Sequence, residues 1–325
     1  MRRLTLALAL AWLLVGCGGS ARHSSTTTTT TAAGRRVHAA HPAPTVLRVR
    51  SVRRLPSARS GAAAADYNGN LVIIGGLSAA GLSTPTVFML GHTQSAASLP
   101  GAVHDAAATV TQGRLLLFGG GQFEGSDRII QVAPGKPRQI GTLPQPLSDL
   151  EAVTISRRAY VIGGWNGSAT NPYVYRVDEH GHVTTAGRLP LGLRYAAVAA
   201  IGSRIIVAGG ELASGAPTAN AYAFDSSTGR TAGLPRLPAP TDHAAGAVLN
   251  GTFYVIGGVR NGSLTNRILA WRPGERRWRV AGRMQRPLAD AAVAEFDGGI
   301  AVAGGRDASG KLTAVSLLGS DARGG

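Results

Sequence analysis

Cysteine is all but missing from this chain: of 325 residues only Cys17 carries a thiol. No disulfide can form within one molecule, and a multi-cysteine zinc or iron–sulfur site is excluded. Lysine is almost as scarce, present only at Lys136 and Lys311, although 33 basic residues face 17 acidic ones for a net charge of +16. The positive charge is therefore arginine. It is scattered, with no long basic run, and aromatic residues make up only 5% of the chain. Nucleic acid is a poor match, because there is no ladder of rings to stack bases. An arginine-favouring coding bias accounts for the excess without any partner; the functional reading is attraction to an anionic surface. No Gly-x-Ser-x-Gly, His-Glu-x-x-His or phosphate-loop pattern occurs, so the common hydrolase, metalloprotease and nucleotide signatures are absent.

Long apolar runs are also lacking, with one short exception. Arg2-Arg3 precedes an apolar stretch over residues 4–15, which ends at Gly16-Cys17. A basic start followed by about a dozen apolar residues reads as a secretory signal, too short for a permanent membrane span. Leu14-Val15-Gly16-Cys17 resembles the lipobox of bacterial lipoproteins. That resemblance implies cleavage after residue 16, lipidation of the Cys17 sulfur, and anchoring at the extracytoplasmic face of the cell membrane. Residues 17–44 follow, with six threonines in a row at 26–31, three histidines (His23, His38, His41) and almost no large apolar side chain. Such a segment buries too little to offset chain entropy and is expected to act as a disordered tether. As a flexible coil it would reach roughly 30 Å.

Glycine is what the chain has in excess, 45 residues, about twice the usual share. Twelve of them form six doublets, each closing a short apolar run: Gly75-Gly76, Gly119-Gly120, Gly163-Gly164, Gly209-Gly210, Gly257-Gly258 and Gly304-Gly305. Their first members are 44, 44, 46, 48 and 47 residues apart. A near-constant period in this range marks stacked supersecondary units. Each unit reads as four short strands, a to d. In the first, strand a spans residues 61–67, Asn68-Gly69-Asn70 turns, and b spans 71–74; c is 86–90 and d is 94–99. Asn-Gly is a strong hairpin signal. The b strands are continuous apolar runs rather than alternating ones, so both faces must be covered. The a strands are dominated by alanine, for example Ala62 through Ala65 and Ala106 through Ala108, as suits a crowded hub.

The doublets, the c-strand aromatics Phe88, Tyr175, Phe224 and Trp271, and the d-strand Trp278 resemble the kelch-repeat β-propeller family. The resemblance implies an all-β, six-bladed propeller of four-stranded blades over residues 45–319, with a short tail at 320–325. After the sixth doublet only a c strand, residues 312–318, remains. Residues 46–55 match the d segment at 277–284 and have no place in the first unit. They are expected to close the ring as the outer strand of the last blade.

By the same resemblance, ligands meet the face shared by the d–a and b–c loops. Counting fourteen residues back from each doublet gives Gly61, Asp105, Asp149, Tyr195, His243 and Asp290, with Arg59, His104, Arg194 and Asp242 beside them. After the doublets come Gln122, Glu124, Trp165, Asn166, Glu211, Arg260, Asn261, Arg306 and Asp307. The ligand-face candidates are Arg59, Asp105, Asp149, Trp165, Arg194, Glu211, His243, Asp290 and Arg306. Two readings compete for the aspartates: a polar pocket that holds a glycan or peptide, or a repeated structural job bonding loop backbone. The expected protein is a monomeric binding propeller for an envelope glycan, peptide or protein, with no cofactor and no metal. The alternatives are a small-sugar enzyme, such as a mutarotase or lyase, and a structural envelope protein. Mutarotases on six-bladed kelch propellers set a precedent for the first. The copper-radical oxidases of kelch-like propellers are excluded, because their cross-linked cysteine has no counterpart here.

Overall fold

The computed structural model describes residues 46–90, 97–121 and 125–320. The lipobox with Cys17, the tether, Gln122, Glu124 and residues 321–325 lie outside them. Among the described residues every regular element is a strand, and all strand pairing is antiparallel.

Six four-stranded units follow one another. The first runs Ala63–Tyr67, Asn70–Ile74, Thr84–Met89 and Ala97–Val103; the fifth runs Ala245–Leu249, Thr252–Ile256, Arg267–Trp271 and Arg279–Arg283. The second and third units are fused into one seven-stranded sheet, because Arg138–Ile155 is continuous. Its first part is the outer strand of one unit and its second part the inner strand of the next. The outer strand of the first unit lies later than expected, with residues 94–96 outside the described set.

The sixth unit takes its outer strand from the other end of the chain. Leu47–Arg59 pairs antiparallel with Gly310–Ser320, from Leu47 opposite Ser320 to Arg59 opposite Leu312. The N-terminal strand is longer than the segment expected, and its partner extends to 320, so any tail begins at 321.

The core lies between units, not within them. Leu71 and Ile73 of the first unit's second strand pack with Leu55, Ala301, Ala303 and Val315 of the sixth. Their neighbours Val72 and Ile74 point the other way, into a cluster with Leu115, Leu117, Ile130 and Val132 of the second. A strand with a neighbour on each face needs apolar side chains at every position, which explains the unbroken runs. Four further clusters join units two to three, three to four, four to five and five to six. Every unit is thus packed against two others.

The glycine doublet repeats one hydrogen bond. The second glycine donates its N–H to a carbonyl of the segment leading to the next inner strand: Gly76 to Val103, Gly120 to Leu147, Gly164 to Leu193, Gly210 to Thr241, Gly258 to Leu288 and Gly305 to Arg59. In the sixth bond the acceptor comes from the N-terminal strand. At Gly209 the reason for glycine is explicit: φ is +70° and a Cβ would come within 2.2 Å of the Thr241 carbonyl oxygen. Only glycine accepts both conditions.

The alanine-rich inner strands do not form a crowded hub. They line a cavity of about 520 Å³, walled by Ala63, Ala107, Ala199, Ala245 and Ala292 and interrupted by Glu151 and Glu295. Small side chains leave the axis open rather than filling it.

Candidate functional site

At one end of this cavity the six positions found by counting back from the doublets meet. Gly61 donates its N–H to the Asp290 carbonyl, Asp105 to Gly61, Asp149 to Asp105, Tyr195 to Asp149, His243 to Tyr195 and Asp290 to His243. The cycle returns to its starting residue. All six have left-handed backbones, with φ between 50° and 60°. Aspartate and histidine are enriched in that region among non-glycine residues, whereas tyrosine there is uncommon. The ring is therefore closed by backbone atoms alone, which leaves the carboxylates free of that structural work.

Those side chains surround a small pocket, about 70 Å³, lined by Asp105, Asp149, Glu151, Tyr195, His243 and Asp290. The glycine at position 61 makes room for one of them, since a Cβ there would come within 2.1 Å of Asp105 Oδ1. Burial, then the charges of Asp149 and Asp290, raises the Asp105 pKa to about 8. Glu151, two residues beyond the ring, is also raised to about 8, by burial first and by Asp105 second. At neutral pH both are largely protonated and can donate a hydrogen bond. Asp149 is raised by burial, against the pull of hydrogen bonds from Tyr195 and Ser148. Tyr195 is raised well beyond its usual range by burial and the surrounding carboxylates. Burial disfavours charge on His243, yet Asp242 and Asp290 outweigh it and raise its pKa. The imidazole stacks on the Tyr195 ring at 3.8 Å.

Around the ring stands a second circle of charges. Arg194 donates from Nε to Glu211 Oε1 at 2.8 Å, reaches the same oxygen through NH2, and lies 3.5 Å from Asp149 Oδ2. Its guanidinium sits 4.9 Å over the Trp165 ring. One face of that indole is accordingly taken by arginine, and a ligand has only the other. Arg306 pairs with Asp290, and His104 lies 3.8 Å from Asp105.

Of the nine sequence candidates, Asp105, Asp149, His243 and Asp290 line the pocket, while Trp165, Arg194, Glu211 and Arg306 surround it. Arg59 does not join them. It is 4% exposed, donates to Ala58 O and Thr86 Oγ1, and lies 5.0 Å over the Phe88 ring. It wedges the first unit against the N-terminal strand, and burial lowers its pKa. Three acids escaped the candidate set. Glu151 and Glu295 face the cavity, and their signal was a lone acid within an alanine-rich inner strand. Asp242, noted only as a neighbour of His243, lies 3.2 Å from it.

Comparison with known proteins agrees with this architecture. Residues 240–285, which carry both Trp271 and Trp278, match the Kelch motif. Among solved structures the chain is similar to the one titled "Structure of YjhT", with a TM-score of 0.72, 17% identity, and coverage of 82% of this chain and 96% of that one. No curated protein matches the sequence. The fold is that of a kelch-type β-propeller.

Proposed function

We propose that the protein is a binding propeller, lipid-anchored through Cys17 at the extracytoplasmic face of the membrane, that holds a hydroxyl-rich ligand such as an envelope glycan at the mouth of the ring. The observation that carries this reading is the closed cycle of backbone hydrogen bonds that fixes Asp105, Asp149, Tyr195, His243 and Asp290 around one axis. Sugar hydroxyls donate and accept at once. A protonated Asp105 beside carboxylates offers both roles within one site. The surrounding arginines are already held by carboxylates, so the mouth is organised before a ligand arrives, which lowers the cost of binding.

The test is a glycan array probed with the full chain, followed by titration of the best ligand against the Asp149→Asn/Asp290→Asn double variant. Asparagine keeps the left-handed backbone. At least tenfold weaker binding is expected. A ligand bound equally by both proteins sinks the proposal.

The pKa of Asp105 supports a second reading, acid–base exchange on a reducing sugar. A carboxyl group that titrates near neutrality suits proton transfer to a ring oxygen while a nearby base removes the anomeric hydroxyl proton. Exchange between sugar anomers, followed by NMR, would be accelerated by the protein and lost in Asp105→Asn. Absence of any acceleration across a panel of reducing sugars rules this reading out.

A further inference from the structure

The mouth also brings together a group that no single repeat contains. We propose that Glu211, Asp242 and His243 hold a divalent cation of the zinc or manganese class between the fourth and fifth units. Glu211 follows the fourth glycine doublet, and Asp242 and His243 lead into the fifth inner strand. Each residue offers one ligand atom, and the three atoms lie within 4.8 Å of one another. Glu211 and Asp242 are only 8% and 6% exposed.

A cluster of acids alone would mean little. Here two buried atoms lack hydrogen-bond partners, Asp242 Oδ1 and His243 Nδ1. They are 3.2 Å apart, within ion-pair reach but not aligned as donor and acceptor. Two ligands on one zinc at its usual bond lengths stand about 3.3 Å apart. The pair therefore has the spacing of atoms sharing a cation, and Glu211, whose ligand atom lies within 4.8 Å of both, closes the set by moving at most about 1.5 Å.

The surroundings are those expected of a metal ligand shell. Ligating imidazoles commonly turn their second nitrogen to a carboxylate, and ligating carboxylates are themselves hydrogen-bonded. His243 Nε2 faces Asp290 Oδ1 at 4.0 Å, in ion-pair reach though longer than a hydrogen bond, and stacking on Tyr195 fixes its ring plane. Arg194 binds Glu211 through Oε1, which leaves the second carboxylate oxygen for a cation. Arg194 is also shared with Asp149, so the locality keeps an excess of negative charge for a divalent ion to balance. One imidazole nitrogen with two carboxylate oxygens suits zinc or manganese better than calcium, which takes oxygen alone. Three protein donors leave coordination positions for water or a ligand oxygen. The cation would pin the loop after one doublet to the start of the next inner strand.

The experiment is calorimetric titration of the purified full chain with zinc chloride and with manganese chloride. It uses a background in which His23, His38, His41, His180 and His182 are alanine, so that residues 1–45 and the exposed His180–His182 turn contribute no imidazole. One saturable equivalent is expected for at least one of the two ions, weakened tenfold or more by Asp242→Asn and by His243→Asn, the latter chosen because asparagine accepts the φ of +50°. Circular dichroism confirms that each variant is folded. Should either fail to fold, X-ray absorption at the metal edge of the background protein decides, through the presence of one nitrogen donor with oxygen neighbours. No saturable binding of either ion, equal binding in folded variants, or a shell of oxygen alone overturns the assignment.

Discussion

The mouth and the cavity beneath it are built from the same six strands, two residues apart, and they differ in almost every chemical respect. At the mouth stand Gly61, Asp105, Asp149, Tyr195, His243 and Asp290; two positions on stand Ala63, Ala107, Glu151, Ala197, Ala245 and Ala292. The mouth residues share one backbone conformation and one hydrogen-bond cycle, but no two adjacent units except the second and third place the same side chain there. The residues two positions on are alanine in five units of six, and Glu151 is the exception. Repetition in this molecule secures the frame. Chemistry sits where the repeat lets side chains vary at no cost to the frame.

The sharpest way to break the comparison is to remove what both regions depend on. Deleting the N-terminal strand, residues 47–59, strips the outer strand from the sixth unit, the Leu55 contact with Leu71 and Ile73, and the carbonyl that receives the Gly305 N–H. A fall in melting temperature of more than about 10 °C is expected, with mouth and cavity lost together. An unchanged melting temperature would show that the ring does not need its clasp.

Two glycine substitutions then separate frame from chemistry. Gly209→Ala puts a Cβ on the Thr241 carbonyl at a left-handed residue and should destabilise by about 3 kcal/mol, from backbone strain plus overpacking. Gly61→Ala meets the Asp105 carboxylate instead. Because the obstacle is a side-chain end that can rotate away, the loss should be nearer 1 kcal/mol, while Asp105 is displaced from the pocket. Denaturant unfolding measures both. Equal losses would mean that Asp105 is as rigid a part of the frame as the Thr241 backbone.

The frame was legible in the sequence because the doublets are a backbone requirement, and backbone requirements repeat with the period. Counting fourteen back found the ring for the same reason, without revealing the hydrogen bonds that close it. Arg59 was misplaced because its position in the count says nothing about the Phe88 ring that captures its guanidinium. The Glu211, Asp242 and His243 group joins the end of one repeat to the start of the next, a proximity that no spacing within a repeat encodes. The spacing puts Trp165 just after a doublet, yet only the fold shows that Arg194 covers one of its faces.

Glu151 offers the finest test of why mouth and cavity differ. Its pKa is raised to about 8, first by burial and second by the Asp105 charge, whereas in the unfolded chain it titrates near 4.3. Between those values the unfolded state releases a proton that the folded state keeps, so stability falls as pH rises through the window and levels off above about 8. Glu151→Gln removes that loss without changing the side-chain volume. The variant should match the parent near pH 4, melt a few degrees higher at pH 8, and show a shallower decline between them. Asp105, raised to about 8 in the same surroundings, would keep part of the slope. If the parent and the variant instead trace parallel curves, Glu151 is solvated in the cavity, and burial does not set the protonation of the one acid that lines both mouth and cavity.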